Sequence, residues 1–216
     1  MILDKAGQKG TGRWTSEIAL RYGTPVPTMQ AAVEARYLSA MKAQRVFASN
    51  HLVGPAAGAP VEGMIDAVRD ALFCSKICSY AQGLDLLATA DADKKWGLDL
   101  GEIARIWKGG CIIRARFLKS IQAAYGKSKS LPNLLLDADL SAFIQKHQGA
   151  WRKVVALAAE RGIPILAMGA SLSYFDSYRR ASLPQNLTQA QRDLFGAHTF
   201  ERTDKAEGEF FHHEWS

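Results

Sequence analysis

Apolar residues along this chain recur at steps of three and four, and no series of segments alternates in the two-residue rhythm of strands. From Thr28 to about His51 the stripe runs through Met29, Val33, Tyr37, Ala40, Met41, Ala48 and Leu52. Pro25 and Pro27 stand at its approach, where a helix start tolerates proline. One helix of about two dozen residues, roughly 36 Å long, is expected there. A second long helix is expected from Val61 to about Ala90, with Ile65, Val68, Leu72, Ile77, Tyr80, Leu84 and Leu87 as its apolar stripe.

Shorter helices are expected at Gly101–Lys108, Ile112–Tyr125, Leu140–Glu160, Ala167–Arg180 and Leu187–Phe195. The third of these runs into Arg161-Gly162-Ile163-Pro164, with glycine placed to cap a helix and proline to stop it. The fold class is therefore all-α. Ala197 to Ser216 carries no helical period, and its aromatics Phe200, Phe210, Phe211 and Trp215 need cover, which another subunit would give.

An internal similarity runs through this pattern. Gly23, Pro25, Met29, Ala31 and Val33 match Gly162, Pro164, Met168, Ala170 and Leu172 in one register, and Ala19 matches Ala158. Each copy is a helix, a Gly-x-Pro turn and another helix. Two explanations stand: chance acting on common helix punctuation, or a domain built by duplication whose first copy has lost its beginning. Before the first copy comes the polar run Asp4-Lys5-Ala6-Gly7-Gln8-Lys9-Gly10-Thr11-Gly12, read as a loop.

Composition narrows the class. With 48% hydrophobic and 22% charged residues in 216, the chain can build one substantial core. No apolar run approaches the roughly 20 residues of a membrane span, so no membrane partner is expected. The opening Met1-Ile-Leu-Asp4 lacks the basic-then-apolar layout of a secretion signal. Cys74 and Cys78 lie one helical turn apart in an apolar stretch, and Cys111 stands alone. An odd count without paired spacing argues against a disulfide framework and for a reducing compartment, the cytoplasm. Buried apolar packing explains the pair better than a metal site. The formal charge of +6 suits an anionic partner. The basic residues read as scattered and accompany no nucleic-acid motif, so a pocket for a small phosphorylated acid is expected and nucleic acid is not.

Two segments carry candidate chemistry. In Gly7-Gln-Lys9-Gly10-Thr-Gly12-Arg13-Trp14-Thr15-Ser16, glycines allow close backbone approach, Lys9 and Arg13 add charge, and Thr15 or Ser16 can cap a helix starting near Glu17. Exposed amides, a helix start and a cation suit a phosphate, although a solvated loop would have the same composition. It is not a P-loop: the Gly-Lys-Ser/Thr ending and the preceding strand are absent. Leu183 to Thr199 concentrates amides, Arg192 and His198 around a short helix, as ligand contact or a hydrogen-bonded helix end would. Arg45, after the polar run Lys42-Ala43-Gln44, has the spacing of a solvated residue.

Several strings here resemble one family. Gly10-Thr-Gly-Arg-Trp-Thr15-Ser16, Gly109-Gly-Cys-Ile-Ile-Arg114, Pro132-Asn-Leu-Leu-Leu136, Asp176-Ser-Tyr-Arg179, Ala190-Gln-Arg-Asp-Leu-Phe-Gly-Ala-His198-Thr199 and Phe211-His-His-Glu-Trp215 look like the C-terminal domain of decarboxylating 6-phosphogluconate dehydrogenases, in the same order. The resemblance implies a helical substrate-binding and dimerisation domain over residues 1–198, incomplete at its N-terminus, and a tail over 199–216. It places Arg13, Thr15 and Arg45 at the phosphate of 6-phosphogluconate. It also implies that Arg192 and His198 reach into the partner's site, so that a homodimer shares its active sites. Arg13 stands where the family usually has lysine.

The family's NADP is held by a Rossmann domain opened by Gly-x-Gly-x-x-Gly after a strand, which this sequence lacks. The family's catalytic Lys and Glu also lie upstream of the matching region. No catalytic or cofactor-binding residue is therefore assigned, no metal ligand is expected, and the chain alone should not turn over. Its expected function is the oxidative decarboxylation performed by the parent enzyme, with the cofactor on a missing domain or on a separate N-terminal polypeptide. The alternative is a non-catalytic phosphosugar-acid-binding or dimerisation module; a basic nucleic-acid-binding helical protein is the remote third.

Overall fold

A computed structural model describes residues 1–56 and 58–215. These residues fall into two units, Met1–Phe175 and the remainder from Asp176. In chain order the elements are α1 (Thr11–Tyr22), α2 (Pro27–Ala40), α3 (Lys42–Ser49), α4 (Met64–Lys94), α5 (Leu100–Ile106), α6 (Leu118–Lys127), a 3₁₀ turn at Leu134–Leu136, α7 (Ala138–Glu160), α8 (Leu166–Tyr178) and α9 (Gln185–Gly196). Two strands of two residues follow, β1 (Phe200–Glu201) and β2 (Phe210–Phe211), paired antiparallel with Phe200 opposite Phe211. The expected all-α class holds, with this small hairpin in a tail where no regular structure was expected. None of the described helices is long and apolar enough to cross a membrane.

In the first unit α4 is the central member, packed along α7 and touching α1, α2 and α5. Its buried face is Ala71, Cys74, Ile77, Cys78, Ala81 and Leu84. Small residues at most of these positions let another helix approach closely. The expected stripe is right at Ile77 and Leu84 and wrong at its start, because Ile65, Val68 and Leu72 are exposed. Periodicity identified an apolar face without telling which of two such faces meets the core. Burial raises the Cys74 thiol to about 12 and pushes Cys78 higher still, with the neighbouring Asp70 and Cys74 charges adding respectively. Both thiols are packing groups, as their spacing suggested.

Helix ends follow local chemistry. The Asp137 carboxylate accepts from the amides of Asp139 and Leu140 at 3.2 and 3.1 Å and starts α7. Asp99 accepts from the Glu102 amide at 3.1 Å and starts α5. The Gly-x-Pro turns are alike in structure as in sequence: Gly23 and Gly162 have φ of 64° and 62°, a left-handed conformation that suits glycine. In each turn the next amide returns to the matching alanine, Thr24 to Ala19 at 3.0 Å and Ile163 to Ala158 at 2.8 Å.

Three boundaries differ from expectation. The single helix from Thr28 breaks at Met41 (φ −79°, ψ 41°) into α2 and α3. The Ser39 hydroxyl donates back to the Arg36 carbonyl at 2.7 Å, and the Ser39 carbonyl accepts from Arg45 at 3.1 Å, which takes that carbonyl out of the helical ladder. The helix expected near Glu17 starts earlier, at Thr11 after left-handed Gly10, so Thr15 and Ser16 lie inside α1. Their hydroxyls donate to the Thr11 and Gly12 carbonyls instead of capping. The helix expected from Ile112 begins only at Leu118, because two short turns, at 112–113 and 116–117, precede it, the first held by Arg114 N–H to the Cys111 carbonyl.

A buried polar chain locks α2, α4 and α8 together. The Gln82 carboxamide accepts from the Thr28 amide at 3.0 Å and donates to the Thr28 hydroxyl at 2.8 Å. The Ser171 hydroxyl donates to the Ala167 carbonyl, which leaves Thr28 to donate to Ser171 across 2.8 Å. Gln82 so satisfies a helix-start amide that has no partner within α2.

Candidate functional site

α1 carries Arg13 and Thr15 two residues apart, and side chains at that spacing project to nearly opposite sides of a helix. Arg13 pairs with Glu17 one turn on, Nε to Oε1 at 3.4 Å, with both side chains more than half exposed. Thr15 lines a cavity of about 650 Å³ shared with Lys76, Ser79, Tyr80, Trp107 and Arg114. Apolar walls with a few hydroxyls and two cations suit a small polar ligand. Arg13 and Arg45 are not among the residues lining that cavity. α1 is held close to its neighbour here: a Cβ on Gly12 would stand 2.8 Å from Val33 Cγ2, so only glycine fits.

Arg45 sits on α3 just after the break. Nη1 donates to the Asp4 carboxylate at 2.9 Å, and Nη2 donates to the Asp4 and Ser39 carbonyls at 3.0 and 3.1 Å. Its Nε is buried and has no partner. Lys42 donates to the other Asp4 oxygen at 2.7 Å. The Lys42 hydrogen bond, followed by that of Arg45, lowers the Asp4 carboxyl from 3.8 to about 2. Arg45 is thus a clamped group whose one unpaired donor is covered, not the freely solvated residue its spacing suggested. Asp4 and Lys42 were missed in the sequence; nothing in the opening polar run sets Asp4 apart from any other loop carboxylate.

Arg192 and His198 belong to the second unit. Arg192 donates to the Gln189 carboxamide at 3.0 Å, one turn back on α9. His198 is exposed, in a turn where Ala197 and Thr199 take left-handed φ of 50° and 61°. Such φ values for non-glycine residues are strained, and surrounding contacts must hold them. Gln189 Nε2 donates to the Thr199 carbonyl at 2.5 Å. The fully buried Asp193 carboxylate accepts from the Thr199 amide and from three groups of the tail: His212 Nδ1 at 2.9 Å, the His213 amide at 3.0 Å and Trp215 Nε1 at 2.8 Å. Burial alone would raise this carboxyl; the four donors outweigh it and hold it well below the usual range. Asp193 therefore fixes the His198 turn and the tail as one piece. It lay in a quoted motif, but its role needed the tail contacts to be seen.

Among the described residues no glycine-rich turn links a strand to a helix. Gly7, Gly10 and Gly12 precede a helix but follow no strand, and the two strands lie in the tail.

Comparison with known proteins gives the lineage. The family described as 6-phosphogluconate dehydrogenase, C-terminal domain, matches residues 1–215. The decarboxylating 6-phosphogluconate dehydrogenase of Synechocystis sp. is 59% identical over 216 residues, 99% of this chain and 45% of that protein. The NADP(+)-dependent decarboxylating enzyme of Bacillus subtilis is 54% identical, covering 100% of this chain and 46% of its own length. Among solved structures, Plasmodium falciparum 6-phosphogluconate dehydrogenase, described in its apo form, with its cofactor NADP+ and with its substrate 6-phosphogluconate, superposes with a TM-score of 0.92 at 45% identity, over all of this chain and 46% of that one. The chain spans about half the length of these relatives. It belongs to the 6-phosphogluconate dehydrogenase C-terminal domain family.

Proposed function

We propose that this chain is the substrate-phosphate-binding and dimer-forming half of an NADP-dependent decarboxylating 6-phosphogluconate dehydrogenase of the cytoplasm. The observation that carries the reading is the match to that enzyme's C-terminal domain over residues 1–215. The overall reaction oxidises 6-phosphogluconate and releases CO2 to give ribulose 5-phosphate, with NADP reduced.

The resemblance assigns Arg13, Thr15 and Arg45 of one subunit to the phosphate end, although in this chain Thr15 alone of the three lines the cavity and both arginines are paired elsewhere. Asp4 and Ser39 engage both terminal nitrogens of Arg45 and its Nε is covered, so a phosphate would reach the guanidinium by displacing Asp4. A guanidinium released from that clamp offers charge-assisted bonds to phosphate oxygens. Arg192 and His198 would complete the site from the other subunit, on a turn that Asp193 holds rigid. The exposed apolar residues Ile65, Val68 and Leu72, spaced along α4, support cover by a second copy. NADP and the acid–base groups would come from the N-terminal domain, on the same or a separate polypeptide, so no step of the chemistry is assigned to residues of this chain.

The test is NADPH formation from 6-phosphogluconate by residues 1–216 alone and by a chimera joining the N-terminal part of the Synechocystis relative to them. Activity in the chimera and none in the chain alone is expected. A chimera that folds and dimerises without activity would contradict the reading and leave a stand-alone binding module.

A further inference from the structure

The positive charge of the chain is concentrated, contrary to its scattered look. Residues 103–136 hold seven Lys or Arg and no Asp or Glu, while the whole chain carries a net +6. The rest of the protein is thus close to neutral. Three of the seven are answered from outside the stretch: Arg105 by Glu102, Lys127 by Asp139 and Lys129 by Asp99. The other four, Lys108, Arg114, Arg116 and Lys119, have no carboxylate partner among the described residues, although Lys108 donates to Gln122. These four line one concavity of about 310 Å³, with Ala115 between them.

Bringing four cations together without a counter-charge costs folding free energy, and a bound anion would relieve that repulsion. Lys119 sits in the first turn of α6, where no acidic residue opposes the positive helix end. The concavity lies at the small end of the range of ligand pockets, about 300–1,000 Å³. Two arginine forks and two lysine point charges match a compact anion with several oxygens and about as many charges. The geometry points to a second anion site, separate from the Thr15 cavity and taking a pyrophosphate-sized diphosphate group. It stands apart from the proposed dehydrogenase role, and its failure would leave that role intact. Only Arg114 lines both cavities, so it is left unchanged in the test.

The experiment is calorimetric titration of residues 1–216 with inorganic pyrophosphate. It compares the unaltered chain, Arg116→Gln/Lys119→Gln, and Lys146→Gln/Lys153→Gln, which removes equal charge from the exposed surface of α7. The site requires one-to-one saturable binding, weakened at least about tenfold in the first variant and unchanged in the second. If the first variant fails to fold, Lys119→Gln alone is used and must weaken binding several-fold. Absence of saturable binding, or equal weakening by both pairs, would overturn the proposal by reducing it to a general field of net charge.

Discussion

Trp215 donates its indole N–H to the carboxylate of Asp193 at 2.8 Å, so the end of the described chain is anchored to the last turn of α9. Trp215 is itself only half-covered, which makes the hydrogen bond, more than burial, its tie. Asp193→Asn replaces one acceptor oxygen by a donor and cannot serve all four N–H groups. Tail cleavage at Arg202 and Lys205 by trypsin should accelerate in this variant, with Trp215 emission shifting to the red. Cleavage at the unaltered rate would show that other contacts hold the tail.

Asp4 joins Lys42 and Arg45 through charge-assisted bonds that lower its carboxyl from 3.8 to about 2. A lowered value means the tie is fully present above about 3.8 and is lost as the pH falls through about 2. Carbon-13 titration of the Asp4 carboxyl should therefore give a midpoint near 2, rising toward 3.8 in Arg45→Ala. A midpoint near 3.8 in the unaltered chain would mean the clamp on Arg45 does not form in solution.

Gln82→Leu removes the partner of the Thr28 amide and one of the two partners of the Thr28 hydroxyl, which keeps Ser171, at a fully buried site. Each buried group left unsatisfied costs about 1–3 kcal/mol. A loss of roughly 1–3 kcal/mol in chemical denaturation is expected. A loss below about 0.5 kcal/mol would show that Thr28 finds other partners.

Much of the fold was legible because helix punctuation is local. Gly162 and Pro164 end α7 through their own conformations, and the matching Gly23 and Pro25 do the same after α1. The break at Met41 was not legible, since it depends on Arg45 reaching back to Ser39 and on Asp4 arriving from 41 residues away. The early start of α1 was hidden for a related reason: Thr15 and Ser16 look like caps, but left-handed Gly10 already turns the chain into the helix. The basic concavity escaped notice because its four cations are spread over 108–119, and only the turns at 112–113 and 116–117 bring them together. The candidate phosphate residues were reached by resemblance; residue spacing alone favoured a solvated Arg45.

The most direct test of the central claim is the KM for 6-phosphogluconate in the chimera carrying residues 1–216, compared with its Arg45→Ala and Arg192→Ala variants. Each lost charge-assisted bond is worth about 1.5–3 kcal/mol, so a rise of about ten- to hundredfold is predicted for both. A KM unchanged in both variants, with the dimer intact, would contradict the assignment of these arginines to the substrate.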